Sequence, residues 1–255
     1  MNVTVVGCSG SFAGPDSPAS SYLVRAEHEG RTWSVVLDLG NGALGALQRH
    51  IAPPSIDALL LSHLHADHCV DACGLYVMLK YIPGGAGRGP VPVHGPRGTA
   101  DHLARAYGDV DPGELTRFFR FGALVDRQPL TVGPFTITPI RVRHPVETYG
   151  FRVEAGGRVL AYTGDTDACD ALTPLLTGAH LALTDCAFVD GRDAARGIHL
   201  SGSRAAAAAV AAGGVQRLML THLPAWNDPE VCRAQAQGVW PGTVELAEPG
   251  RTYPV

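Results

Sequence analysis

Short apolar runs bounded by turn-forming residues dominate the first sixty positions. Val3 to Val6, Ser21 to Ala26, Trp33 to Leu37 and Ile56 to Leu61 are rich in branched side chains and read as buried strands. "GNGALGALQRH" offers a short helix between the last two. The texture then returns. Phe135 to Val142, Gly150 to Glu154 and Arg158 to Tyr162 read as consecutive strands, with "AGGRV" supplying a hairpin turn. Leu181 to Thr184 and Arg217 to Leu220 are further strands alternating with helices. The clearest helix is Ser203 to Ala212, whose alanines favour helix and whose following Gly213 and Gly214 end it. "PGGAGRGPVP", 83 to 92, is expected as a surface loop; as a phosphate cradle it lacks the required lysine followed by Ser or Thr. Strands followed by helices, twice over, predict a layered α/β protein with sheet in the middle. No long polar linker divides the chain, so residues 1–255 are expected to form one domain of two similar halves.

Composition narrows the function. A net charge of −4 over 255 residues gives no general attraction to nucleic acid or anionic lipid, and a small substrate fits better than a polymer. No apolar stretch reaches the roughly 20 residues of a membrane span, and Met1 to Gly7 reads as an opening strand without a basic leader. A cytoplasmic protein with no membrane partner is expected. The six cysteines are scattered and are expected to be reduced thiols, not a disulfide framework.

Candidate chemistry is concentrated in "SHLHADHCVD", residues 62–71. His63, His65, Asp67 and His68 form H-x-H-x-D-H immediately after a buried strand, the edge of an α/β sheet where ligands usually bind. Alternation sends His63 and His65 one way, while Asp67 and His68 can turn toward a second point at a helix start. One loop cannot close a metal site. His144 after "TITPIRV", Asp165 after "VLAY" and His222 after "RLML" supply further donors, each just past a strand-like run. The set divides into His63, His65 and His144 around one ion and Asp67, His68 and His222 around another, with Asp165 bridging. Imidazole and carboxylate donors suit two divalent ions, zinc first, with manganese and iron sharing the same donors. A hydroxide shared between such ions is a strong nucleophile at neutral pH. A lone histidine is more often a hydrogen-bonded core residue, and His28, His50, His94, His102 and His180, which lack such company, are read as structural or surface residues.

This pattern resembles the metallo-β-lactamase superfamily, which implies a four-layer αβ/βα sandwich with the metals at one edge of its two sheets. Asp165 stands where the antibiotic-hydrolysing class B1 members carry cysteine, and retention of Asp67 and His68 sets the chain apart from mononuclear iron relatives. "GIHLSGSRAAAAA" is similar to a segment of the ribonuclease Z-like branch, which makes His199 the candidate general acid and, with Asp67, the candidate catalytic pair. Asp185 in "LTDCAF" stands where that branch has glutamate. Ribonuclease Z inserts a transfer-RNA-gripping arm between the segments matching His144 and Asp165. Only twenty residues separate them here, so transfer RNA is not the expected substrate.

"GCSGSFAGPDSPASSYLV", "DLGNGALGALQRH", "LLSHLHADHCVDACGLYV" and "LTHLPAW" together look like actinobacterial members described as cyclic nucleotide phosphodiesterases. That resemblance implies hydrolysis of a small phosphodiester such as 3′,5′-cAMP by a bridging hydroxide. Another cyclic phosphate or an RNA end, and a thioester or lactone, are the alternatives; a non-enzymatic metal scaffold is the third. Ser9, Ser11, Ser20 and Ser21 are candidate contacts for phosphate oxygens, and Arg141 and Arg143 share one face of their strand. Relatives in the branch are often dimers, which implies a homodimer.

Overall fold

The computed structural model describes residues 1–85, Gly87 and 89–255; Ala86 and Arg88, within the loop expected at 83–92, lie outside the described residues. The first half contributes β1 (Asn2–Gly7), β2 (Ser21–His28), β3 (Arg31–Leu37), β4 (Ala58–Leu60), β5 (Val91–Gly95) and β6 (Phe119–Ala123). Its helices are α1 (Ala43–Leu47), α2 (Ala66–Cys69), α3 (Ala72–Tyr81), α4 (Thr99–Gly108) and α5 (Pro112–Leu115). The second half contributes β7 (Leu130–Val132), β8 (Phe135–Arg141), β9 (Tyr149–Ala155), β10 (Arg158–Tyr162), β11 (Leu181–Asp185), β12 (Leu218–Thr221) and β13 (Val244–Leu246). The helices α6 (Leu172–Leu176), α7 (Gly202–Ala211) and α8 (Pro229–Gln237) accompany them, and β14 (Thr252–Pro254) closes the chain. Every strand expected from the hydrophobic runs is present, its ends shifted by at most two residues.

The strands form two seven-stranded sheets, ordered β14-β1-β2-β3-β4-β5-β6 and β13-β12-β11-β10-β9-β8-β7. The halves are therefore not closed units, because β14 returns to pair antiparallel with β1 (Val3 opposite Tyr253). β1, β2 and β3 are antiparallel neighbours, and β3 to β6 are parallel. The second sheet repeats this, with β8, β9 and β10 antiparallel and β10 to β13 parallel. The C-terminal ends of β1, β3 and β4 consequently share one edge, as do those of β8, β10, β11 and β12.

Three apolar clusters stack through the molecule. Tyr22, Val24, Leu37 and Leu60 of the first sheet meet Phe151, Leu160, Tyr162 and Met219 of the second between the sheets. On the first sheet's other face, Leu23, Val36 and Leu59 lie under Leu47, Leu75 and Leu103 of the helices. On the second sheet's other face, Ala182, Leu218 and Leu220 lie under Leu175, Ala205 and Ala236. These are the four layers αβ/βα. Helix-facing and sheet-facing apolar residues alternate along β2 and β3, which is why their runs are apolar throughout. Two expectations need correction. The helix near 203–212 spans Gly202–Ala211, and the loop at 83–92 ends earlier, since Val91 and Pro92 already belong to β5. Pro92 is tolerated there because β5 pairs with β4 only from Val93 onward.

Candidate metal centre

The chain leaves β4 under tight constraint. Ser62 donates its backbone N–H to Asp38 Oδ1 at 2.6 Å and its hydroxyl to Asp38 Oδ2 at 2.8 Å. The fully buried Asp38 follows β3, and its Oδ2 also accepts from Tyr162 Oη at 2.7 Å and lies 2.8 Å from His68 Nδ1. One carboxylate thus ties together the ends of β3, β4 and β10 and orients a histidine. The short α2 then turns Asp67 and His68 back toward the rim.

Two donor groups result. In the first, His63 Nε2 lies 3.0 Å from His65 Nδ1 and 3.6 Å from Asp165 Oδ2, and His144 Nε2 lies 3.4 Å from His65 Nδ1. In the second, His222 Nε2 lies 3.2 Å from both His68 Nε2 and Asp67 Oδ2, and Asp67 Oδ2 lies 3.4 Å from His68 Nε2. Asp165 faces both, its other oxygen, Oδ1, standing 3.1 Å from His68 Nε2 and 3.4 Å from His222 Nε2. Donors held about 2.0–2.1 Å from a tetrahedral ion stand about 3.3–3.4 Å apart, so these spacings fit an ion at each centre. The structure brings together all seven residues picked out as candidate ligands: His63, His65, Asp67, His68, His144, Asp165 and His222.

On three of the five rings the outward-facing nitrogen has a partner, as is usual for metal-binding histidines. His144 Nδ1 donates to Ile198 O at 2.8 Å, His68 Nδ1 faces Asp38, and His63 Nδ1 lies 3.1 Å from Ser62 Oγ. Asp165 Oδ1 is buried and faced only by the ring nitrogens of His68 and His222. A buried carboxylate there is costly unless positive charge, from those rings or from a metal ion, faces it. Burial lowers the pKa of His63, His65 and His144, leaving neutral rings with free lone pairs. Burial alone would raise the Asp67 and Asp165 pKa values, but the neighbouring histidines outweigh it and hold both as carboxylates.

His199 sits beside this centre, 9% exposed. Its ring centroid is 5.3 Å from that of His144 and 5.2 Å from that of His222, one member of each donor group. His199 Nδ1 lies 2.9 Å from Asp185 Oδ2, which also accepts from the Thr166 backbone N–H at 3.0 Å. Burial opposes protonation of His199, yet the Asp185 charge and hydrogen bond prevail and raise its pKa. Asp185 is therefore the residue that orients and charges His199.

Three rim residues, Ser11, Asp38 and His222, adopt left-handed backbone with φ of 65°, 59° and 58°. Such strain costs about 1–3 kcal/mol per residue and collects at functional sites. The segments carrying Ser11 and His222 interlock: Gly10 N–H donates to Leu223 O at 3.1 Å and Ser11 N–H to His222 Nε2 at 3.3 Å. A Cβ on Gly10 would stand 2.4 Å from His222 O, so only glycine permits this approach.

Of the serines expected to meet phosphate, Ser9, Ser20 and Ser21, the last at the start of β2, are buried and only Ser11 is exposed. Arg141 and Arg143 are both exposed. Asp38 was missed by sequence reasoning; its one signal is a carboxylate standing directly after the buried run Ser34 to Leu37. The described residues contain no helix long and apolar enough to cross a membrane, and all six cysteines are free.

Two facing sheets with a histidine and aspartate centre on their common edge define a metal-dependent hydrolase. Residues 34–223 match the model of the beta-lactamase superfamily domain, and the chain belongs to that superfamily, with the metallo-β-lactamase fold. It is 40% identical over 260 residues to an uncharacterized protein of Mycobacterium tuberculosis, covering 100% of this chain and 92% of that one. It is 31% identical over 256 residues to the "probable metallo-hydrolase YhfI" of Bacillus subtilis, covering 98% of each. The crystal structure of YhfI superposes with a TM-score of 0.85 over 99% of each chain at 29% identity. Ribonuclease Z of Mycobacterium bovis is 29% identical over 273 residues, covering 96% of this chain and 95% of the relative.

Proposed function

We propose that the protein is a phosphodiesterase acting on a small phosphodiester, with a 3′,5′-cyclic nucleotide as the substrate to test first. The observation that carries this reading is the placement of His199 between the two donor groups, held by Asp185 through Nδ1 at 2.9 Å. With Nδ1–H held by the carboxylate, the protonated ring carries its second proton on Nε2, free for a leaving group. An alkoxide leaving from phosphorus needs such a proton, whereas a thiolate leaving from a thioester does not.

His63, His65, His144 and Asp165 would hold one divalent ion, and Asp67, His68, His222 and Asp165 the second. Zinc suits these donors, and manganese or iron shares them. Two ions held by these residues would supply activation of water and neutralisation of the charge on a phosphate group. Asp67, kept ionised by His222 and His68, would help hold the second ion and would be the acceptor for a proton of the attacking water. His199, in its protonated form, donates from Nε2 to the departing sugar oxygen, and the Asp185 carboxylate favours that protonated ring and holds its orientation through Nδ1–H.

A small substrate is favoured by the interval between His144 and Asp165. The strands β9 and β10 and their turn occupy it, leaving no length for a protruding arm. The test is turnover by metal-replete protein of 3′,5′-cAMP, 3′,5′-cGMP, 2′,3′-cyclic nucleotides, bis(p-nitrophenyl) phosphate, a thioester and a lactone. Metal content is measured on the same sample. Cyclic nucleotide hydrolysis is expected; thioester or lactone turnover with inert phosphodiesters would overturn the substrate class.

A further inference from the structure

The interlocked loops beside His222 carry two large aromatic side chains into solvent. Phe12 is 39% exposed and Trp226 is 63% exposed, yet their rings lie against each other with centroids 4.9 Å apart and planes at 43°. Phe12 follows Ser11, whose N–H reaches His222 Nε2, and Trp226 lies four residues beyond His222 itself. Both therefore stand beside the His222 side of the donor groups. Neither loop is loose. Ser9 N–H donates to Pro18 O at 3.1 Å and Leu223 N–H to Cys8 O at 3.2 Å. Buried Asn227, next to Trp226, donates its side-chain N–H to Ala187 O at 2.9 Å.

Exposed aromatic surface on an anchored rim is unfavourable in water and gains most by covering a flat apolar face. The other strongly exposed aromatic ring, Tyr81 at 64%, ends α3, in the helical layer of the first sheet. We infer that Phe12 and Trp226 form a stacking platform for the nucleobase of a nucleotide whose phosphodiester lies at the metal centre. The inference rests on the phosphodiesterase reading and names the part of the substrate that sets its specificity. Stacking tolerates different bases, because every base presents a π face. The platform thus selects for a base without selecting strongly among bases.

The experiment compares 3′,5′-cAMP with the 3′,5′-cyclic phosphate of methyl riboside, which has the same phosphodiester and no base. For metal-replete wild type, Phe12→Ala, Trp226→Ala and Trp226→Phe, the ratio of kcat/KM between the two substrates is measured. Loss of a stacking ring is expected to lower that ratio roughly 5- to 100-fold, mostly through KM, with Trp226→Phe restoring most of it. A ratio unchanged in both alanine variants would overturn the platform. Quenching of tryptophan fluorescence by adenosine 5′-monophosphate, with ribose 5-phosphate as control, is a second readout that needs no turnover. Quenching is expected in wild type and absent in Trp226→Ala, since Trp240 is buried and Trp33 lies under Gly133 in the distant β7–β8 turn. Wild type inert on these two and on the other phosphodiesters of the panel would refute the phosphodiesterase reading, and the quench alone would then decide the platform: equal quenching by both ligands, or none, refutes it.

Discussion

Replacing Gly40 by alanine tests whether the backbone behind the second donor group sets its geometry. Gly40 follows Asp38 and Leu39, and Leu39 N–H donates to His68 O at 2.7 Å, so this segment lies flat against α2. A Cβ on Gly40 would stand 1.9 Å from the Asp67 carbonyl oxygen and 2.9 Å from Ala19 Cβ. Such contacts are not seen below 3.0 Å, so α2 has to retreat by about 1.1 Å. That is a third of the 3.2–3.4 Å separating Asp67 Oδ2 from His222 and His68. Both Asp67 and His68 move with the helix. Displacement of catalytic groups by about 1 Å costs on the order of 10²-fold in turnover, and overpacking costs about 1–3 kcal/mol of stability. The control is Gly45→Ala within α1, where a Cβ meets open space. It is expected to gain roughly 0.5–1 kcal/mol by helix propensity. Metal equivalents per chain, kcat/KM on bis(p-nitrophenyl) phosphate and the thermal midpoint are measured for both. Full metal content with unchanged turnover in Gly40→Ala would refute the argument.

Removing the bridging carboxylate with Asp165→Ala is expected to abolish turnover and lose bound metal, read by elemental analysis of the purified protein. His199→Ala is expected to keep its metal while turnover slows on the order of 10²-fold, the scale of general acid catalysis. Metal loss in that variant would reassign the residue to the coordination sphere. Asp185→Asn tests the source of the raised His199 pKa. A general acid works while protonated, so activity falls as pH rises through that pKa. Without the Asp185 charge, burial dominates and the alkaline limb of the pH–rate profile moves to lower pH. An unmoved limb would show that another group gives the proton.

Much of this was legible because the informative residues stand next to strong periodic signals. His144, Asp165 and His222 each come just after a strand whose apolar run is unmistakable, and parallel order places those strand ends on one edge. The strand Arg158–Tyr162 begins and ends where its pattern does, because a two-residue turn and a buried face bound it. β5 escaped notice since Pro92 and His94 interrupt its pattern, and only its position between β4 and β6 makes it a strand. β14 has too few residues to announce itself and exists because β1 offers an unpaired edge. Asp38 could not be assigned from sequence, since its role depends on Ser62, His68 and Tyr162 arriving from three other segments. Ser20 and Ser21 misled for the opposite reason. A Ser/Gly-rich stretch suggests exposure, whereas here only its middle is exposed and Ser20 and Ser21 are buried where it runs into β2.

Each donor group draws on both sheets, the first joining His63 and His65 to His144, the second joining Asp67 and His68 to His222. A bound ion therefore works as a rivet across the seam between two layers. An ion at 100 times its dissociation constant adds about 2.7 kcal/mol to the folded state. Removing the ion with a chelator is expected to raise hydrogen exchange first at this edge while the apolar layers further in stay protected. The strained loops carrying Ser11 and His222 are then expected to be the first segments cut in limited proteolysis. Inside a cell, the lifetime of the protein would then follow metal supply, and its abundance would fall in scarcity before any change in its synthesis.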